Sequence, residues 1–306
     1  VTGRLTAVYS AAHFFTDLAC AFLMFRFLAD APDPALCFLL YNFFAFAWQM
    51  PLGVLADKLS QNRLFAAAGC VLVGAAYAFT AAPAAAAALA GLGNALFHIG
   101  GGIDILNAAK GRAGILGVFV APGALGVYCG TVWAKGNGSP DIVILAALVA
   151  SAAVIALLCR GTPENAPFSL GGGGFSRGIT AAVAAGLFMV VCLRSYIGLS
   201  LDFPWKGAGV WGLALLGAAF AGKLGGGFAA DRLGYVRVGF AALGLAAVLL
   251  LLPSLPAAGV GAVLLLNVTM PVTLWGMAKL FPNAKGFAFG VLTFALFLGF
   301  LPVHYA

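Results

Sequence analysis

The chain has 306 residues, of which 63% are hydrophobic and only 8% charged, and its mean hydropathy is +1.07. A water-soluble domain of this length carries far more charge, so the composition excludes one. The net charge of +7 sits in short polar stretches between apolar runs, which points to membrane topology rather than to nucleic acid.

A run of about 20 apolar residues crosses the core of a bilayer as a helix, and the chain is a succession of such runs. They predict helix 1 at 5–28, helix 2 at 35–56, helix 3 at 62–80, helix 4 at 83–108, helix 5 at 112–134 and helix 6 at 140–160. Helices 7 to 11 follow at 176–201, 207–230, 235–253, 256–279 and 285–303. No sustained apolar–polar alternation marks the short strands of a membrane barrel. The expected fold class is therefore an all-α polytopic membrane protein. Helix 1 is too long for a signal-peptide core and carries His13 and Asp17, so it reads as a retained span. The six cysteines form no C-x-x-C pair and read as small buried hydrophobes.

With the amino terminus in the cytoplasm, 11 Lys and Arg residues fall in inside loops and 3 (Arg26, Lys135, Lys206) outside. Arg194 and Lys223 lie within helices. The positive-inside rule thus predicts a cytoplasmic amino terminus. Two of the inside loops resemble each other: GVLADKLSQNR at 53–63 and GFAADRLGYVR at 227–237. A spacing of 174 residues takes Gly53 to Gly227, Asp57 to Asp231, Lys58 to Arg232 and Arg63 to Arg237. A spacing of 173 takes Asn94 to Asn267, Gly117 to Gly290 and Gly126 to Gly299. The chain therefore reads as a duplication. An amino-terminal half spans 1–160, a Pro- and Gly-rich cytoplasmic linker 161–175, and a carboxy-terminal half with five helices 176–306.

The loop pattern G-x-x-x-D-(K/R)-x-x-x-x-R, its repetition, the helix count and the linker together resemble the major facilitator superfamily. Ser60 stands where that loop usually has Gly, and Gly234 keeps it. The resemblance implies two six-helix repeats that rock about a central site, so a twelfth helix is expected beyond Ala306. It also implies that Asp57 clamps the start of helix 11 and Asp231 the start of helix 5, as latches that close the inner side. Gly53 and Gly227 would let the helices approach closely. Further motifs are HFFTD at 13–17, GLGNALFHIGGG at 91–102 and GVFVAPGALGVYCG at 117–130. These resemble the fosmidomycin-resistance branch of drug-efflux proteins, with Ile99 in place of a Pro, which implies a bacterial inner membrane. Ala121 to Gly126 loosely resembles the helix 5 motif of proton-coupled antiporters. Pro122, with Gly123 and Gly126 beside it, is expected to kink helix 5.

Ionisable residues inside membrane helices are costly unless paired or hydrated, and mark functional sites by default. His13 and Asp17 are four apart on one face of helix 1. With His98 of helix 4 they form the expected proton site; the alternative is a structural cluster locking helix 1 to helix 4. Arg194 and Lys223 are expected in the cavity, with Arg194 binding an anionic substrate group or pairing with Asp17 across the halves, and Lys223 snorkelling as its alternative. Asn94, Asn267 and Trp275 are further cavity candidates, and Asp104 is expected to pair with Arg112 or Lys58.

The expected function is a proton-coupled secondary transporter exporting small amphipathic or anionic organic molecules, working as a monomer in the lipid bilayer. Import of a sugar or organic acid is the alternative, and a transport-inactive sensor or scaffold on the same fold is another. An enzyme is disfavoured: Glu164 is the one glutamate and lies in the linker, with no H-E-x-x-H. No cofactor, nucleic-acid motif or metal-ligand spacing is read.

Overall fold

The computed structural model describes residues 2–136, 141–161, 164–171 and 173–306. Its described residues form eleven helical spans and no strand. These are α1 (Thr2–Leu28), α2 (Pro34–Leu59), α3 (Asn62–Phe79), α4 (Pro83–Ala108), α5 (Ala113–Lys135) and α6 (Asp141–Leu158). There follow α7 (Arg177–Ser200), α8 (Trp211–Leu233), α9 (Tyr235–Leu250), α10 (Pro256–Leu280) and α11 (Lys285–His304). All except α9 are long and apolar enough to cross a membrane, and the chain is a multi-pass integral membrane protein. The expected spans match these within a few residues at most ends. Residue 140, the expected start of helix 6, and linker residues 162, 163 and 172 lie outside the described residues.

Local chemistry sets several boundaries. Asp33 caps α2 by accepting from Leu36 N–H at 2.9 Å, with Pro34 following at the first helical position. Pro83 and Pro256 likewise begin α4 and α10, there without a side-chain cap. Two spans contain a π-helical turn, Met24–Leu28 in α1 and Phe43–Ala47 in α2. Such a turn inserts an extra residue and rotates the side chains beyond it. The described linker residues up to Phe175 form no helix.

The helices pack in pairs: α1 with α5, α3 with α4, α8 with α10, and α7 with α11. The first six helices meet the last five chiefly where the second part of α2 packs on α11 and α5 packs on α8, with smaller contacts of α4 on α11 and α5 on α10. The deepest apolar core runs among α1, α4 and α5, around Tyr9, Phe22, Phe97 and Phe119.

Candidate functional site

One end of the bundle is closed by two matching contacts. Asp57, buried at the end of α2, accepts the backbone N–H groups of Gly286 and Phe287 at 2.8 and 2.9 Å. Asp231, at the end of α8, accepts those of Ala113 and Gly114, both at 2.8 Å. Each carboxylate thus fills the first-turn donors of a facing helix, α11 or α5, and meets the positive end of its dipole. Gly286 and Phe287 follow Ala113 and Gly114 by the same 173 residues that relate other positions of the two parts. Gly53 lies directly on the Gly286 backbone and Gly227 on that of Ala113, and neither leaves room for a Cβ. We call this the basic end, since Lys58, Arg63, Lys110, Arg112, Arg232, Arg237, Lys279 and Lys285 surround it. Lys58 lies 5.3 Å over the ring of linker Phe168. Among the described residues Arg63, Arg232 and Arg237 make no hydrogen bond or ion pair.

Above this closure lies a cavity of about 570 Å³, reaching from the middle of the bundle to the 201–210 connection. Its size suits a small organic molecule. His13, Asp17 and His98 border it on one side. On the other stand Arg194 of α7 and Lys223 of α8, with Lys206 near the mouth. Asp17 is the one carboxylate in a lining with three cations, so the cavity carries a positive excess.

The cluster is built by three helices. His13 Nε2 lies 3.2 Å from Asp17 Oδ2, the i,i+4 pair of α1. His98 Nε2 lies 2.9 Å from His13 Nε2 and 3.8 Å from Asp17 Oδ1. The Nδ1 of each histidine faces a carbonyl oxygen, Phe119 O at 2.8 Å for His13 and Asn94 O at 2.9 Å for His98. A carbonyl only accepts, so each Nδ1 carries the hydrogen. In a neutral ring Nε2 is then a lone pair, and two lone pairs meet at 2.9 Å. That contact requires a proton on one of them or a cation between them. Asn94 Nδ2 donates to Asp17 Oδ1 at 3.1 Å and steadies the carboxylate. Gly123 of α5 completes the enclosure: a Cβ there would lie 2.5 Å from both Asp17 Oδ2 and His13 Nε2.

Helix α5 stays a single helical segment through Pro122. The missing N–H of Pro122 frees the carbonyl four residues earlier, Val118 O, which accepts the Ser10 hydroxyl at 3.1 Å. Gly126 seats α1 by lying on Phe14 O.

Several expected placements need correction. Arg194 does not pair with Asp17: its Nη1 donates to Thr269 Oγ1 at 3.4 Å, and among the described residues it has no ion pair. Asn94 does not line the cavity; it is buried behind Asp17. Trp275 is also elsewhere, stacked on Tyr235 at the basic end with Nε1 donating to Gly111 O at 2.6 Å. Asp104 receives neutral donors, Tyr9 O–H at 2.6 Å and Asn62 Nδ2 at 2.9 Å. Lys223 faces the cavity rather than a helix end, and Asn267 lines it too.

Sequence reasoning missed Asn42, Phe46 and Gln49, which line the cavity from α2. Asn42 and Gln49 flank the Phe43–Ala47 π turn and Phe46 lies within it, and no local pattern announces that turn. A signal for Gln49 did exist, since it sits 174 residues before Lys223. Gly290 packs on the Gln49 carbonyl as Gly117 packs on that of Lys223. The Gln49 Oε1 is buried without a hydrogen-bond partner. Asn165 of the linker was also missed. It accepts from Asn62 and Asn107, and donates to Ala56 O and Asn62 Oδ1, all within 2.8–3.1 Å.

No family model matches this sequence, and a search of curated protein sequences finds no match. Solved structures do match. The chain superposes on the major facilitator superfamily transporter FucP in its outward conformation with a TM-score of 0.68 at 14% identity, covering 97% of this chain and 90% of that one. A variant of the E. coli fucose:proton symporter FucP gives a TM-score of 0.63 at 13% identity, with the same coverage. The chain has the fold of the major facilitator superfamily transporters.

Proposed function

We propose that the chain is a proton-coupled secondary transporter that moves small organic molecules by alternating access. The observation that carries this reading is the His13–Asp17–His98 cluster. It places three ionisable side chains at the wall of a ligand-sized cavity, in a bundle closed at one end. A histidine pair that meets through Nε2 has a place for one proton between its rings, and Asp17 balances the charge. By the positive-inside rule the basic end faces the cytoplasm, so the conformation described is open outward. The residues 1–160 and 176–306 are the two moving halves, joined by the linker. The paired Asp57 and Asp231 contacts act as the inner latch. Arg194 and Lys223 favour an anionic group on the substrate.

The helix 4 and helix 5 motifs support export. The fold shared with a fucose:proton symporter supports the second reading, import with protons. Proteoliposomes containing a pH dye, tested with organic anions, cations and sugars, separate the two. Substrate applied at the outer side draws protons in with it for a symporter. For an exporter, loaded substrate leaves as protons enter. Asp17→Asn is expected to abolish the coupled proton signal without loss of assembly. Proton flux at the wild-type rate in that variant would remove the proton site from the mechanism.

A further inference from the structure

We propose that His13, Asp17 and His98 form a binding site for a divalent transition metal ion of the zinc class, with a fourth coordination position open to the cavity. The three side chains offer two imidazole Nε2 atoms and a carboxylate, a ligand set suited to zinc. Their separations are 2.9 Å between the imidazoles, 3.2 Å from His13 to Asp17 and 3.8 Å from His98 to Asp17. Ligand atoms bonded at about 2.0–2.1 Å around a tetrahedral zinc lie about 3.3 Å apart. The triangle straddles that value, so small side-chain rotations would seat an ion.

The surroundings match a metal site. Metal-bound histidines usually donate their other ring N–H to a carbonyl or carboxylate, which sets the tautomer and aims the lone pair. Both histidines do this here, through Phe119 O and Asn94 O. The ligating carboxylate is held in turn by Asn94 Nδ2. Phe97 and Phe119 pack on the His13 ring, with centroids 5.9 and 4.9 Å away, and form an apolar shell. Gly123 is the independent sign. It lets the α5 backbone pack directly against both His13 Nε2 and Asp17 Oδ2, where any side chain would collide with two ligand atoms. All three ligands also line the cavity, so an anionic molecule held by Arg194 or Lys223 can reach the open position. No sequence spacing reveals the site, because the ligands come from α1 and α4. The inference rests on ligand geometry and does not require that transport be proton-coupled.

The test uses the full chain, purified in detergent and stripped with a chelator. Zn²⁺ binding is followed by calorimetry and Co²⁺ binding by visible absorption. One ion per chain is expected, with the intense d–d bands of a tetrahedral nitrogen–oxygen site. His98→Gln and Asp17→Asn are each expected to weaken binding at least 100-fold. His304→Gln, which alters the one histidine outside the cluster, should change nothing. The proposal is overturned if the wild type takes up no ion, if Co²⁺ gives only a weak octahedral spectrum, or if His304→Gln abolishes binding. The wild-type spectrum decides even if a cluster variant fails to fold. Substrate-driven proton flux in chelator-treated proteoliposomes is scored separately. Flux without metal binding removes the metal site alone, and metal binding without flux removes the proton-coupling reading alone.

Discussion

Gly123 faces the two atoms on which the cluster depends, so it offers a sharp test of the cluster's tolerance. A methyl group at this position meets His13 Nε2 and Asp17 Oδ2 at 2.5 Å, well inside any normal contact. Neither atom can withdraw freely. His13 is tied to Phe119 O, and Asp17 is tied to Asn94. Gly123→Ala is therefore expected to cost about 1–3 kcal/mol through overpacking and to reduce coupled transport at least tenfold. Gly225, also within a helix, has nothing within 4 Å of its hypothetical Cβ. Gly225→Ala should instead be neutral or stabilise by up to about 1 kcal/mol, since alanine orders more cheaply in a helix. Thermal melts and flux assays on the two variants check the contrast. Equal transport by the two would show that the close packing of α5 on the cluster does not matter for transport. His13, Asp17 and His98 were legible because an ionisable group in an apolar run stands out by itself. Their tautomers and the role of Gly123 were not legible, because both depend on carbonyl positions in a neighbouring helix.

Among the elements, the loops at the basic end divide the same way. The Asp57 and Asp231 contacts could be anticipated through the family resemblance that the repeated loop carries, and a carboxylate at one helix end suits the free N–H groups of another. The partners that reinforce them could not. Tyr235 O–H donates to Asp231 Oδ1 at 2.7 Å and Trp275 stacks on its ring, although Trp275 reads in the sequence as a cavity candidate. The first loop uses a different device. Ser60 adopts the left-handed conformation, φ 54°, where the second loop has Gly234 at φ 95°. Ser60 Oγ accepts Asn165 N–H at 2.9 Å, so the position that departs from glycine fastens the linker. Asn165 then joins the ends of α2, α3 and α4, and Asn107 passes the connection to Lys285 of α11 at 2.7 Å. An asparagine in a Pro-rich, non-periodic stretch gives no sign of this. Losing several partly buried hydrogen bonds at once leaves their partners unsatisfied, so Asn165→Ala is expected to cost about 2–3 kcal/mol. It should also loosen the α11 start, seen as faster amide exchange at Gly286 and Phe287. Unchanged exchange there would mean that the linker is only a tether.

For the whole molecule, the helix count, the span limits and the paired loops were all readable, because a bilayer demands long apolar helices and leaves charge only at their ends. The packing of α2 on α11 and of α5 on α8 was readable only through the family resemblance that the duplicated Asp loops carry. The cavity shape was not, since the α2 π turn decides which residues face inward. This arrangement makes a prediction about conformation. Each latch carboxylate accepts two N–H groups, and an asparagine can accept only through its one oxygen, leaving the other N–H facing an NH₂. Each Asp→Asn change thus removes at least one charge-assisted hydrogen bond, worth about 1.5–3 kcal/mol. Because every 1.4 kcal/mol is about a tenfold change in a population, one latch variant should raise the state open at the basic end by about tenfold or more. The two latches share no partner, so Asp57→Asn with Asp231→Asn should combine nearly additively. The readout is a cysteine placed at Asn267 in a background where Cys129 and Cys192, the two half-buried cysteines, are alanine. A membrane-impermeant maleimide should label it in the parent mainly from the Lys206 side. In the double latch variant, labelling from the basic end should rise by at least an order of magnitude while labelling from the Lys206 side falls. Equal rises from both sides would indicate general loosening of the bundle, and no change from either would show that the Asp57 and Asp231 contacts do not hold the basic end shut.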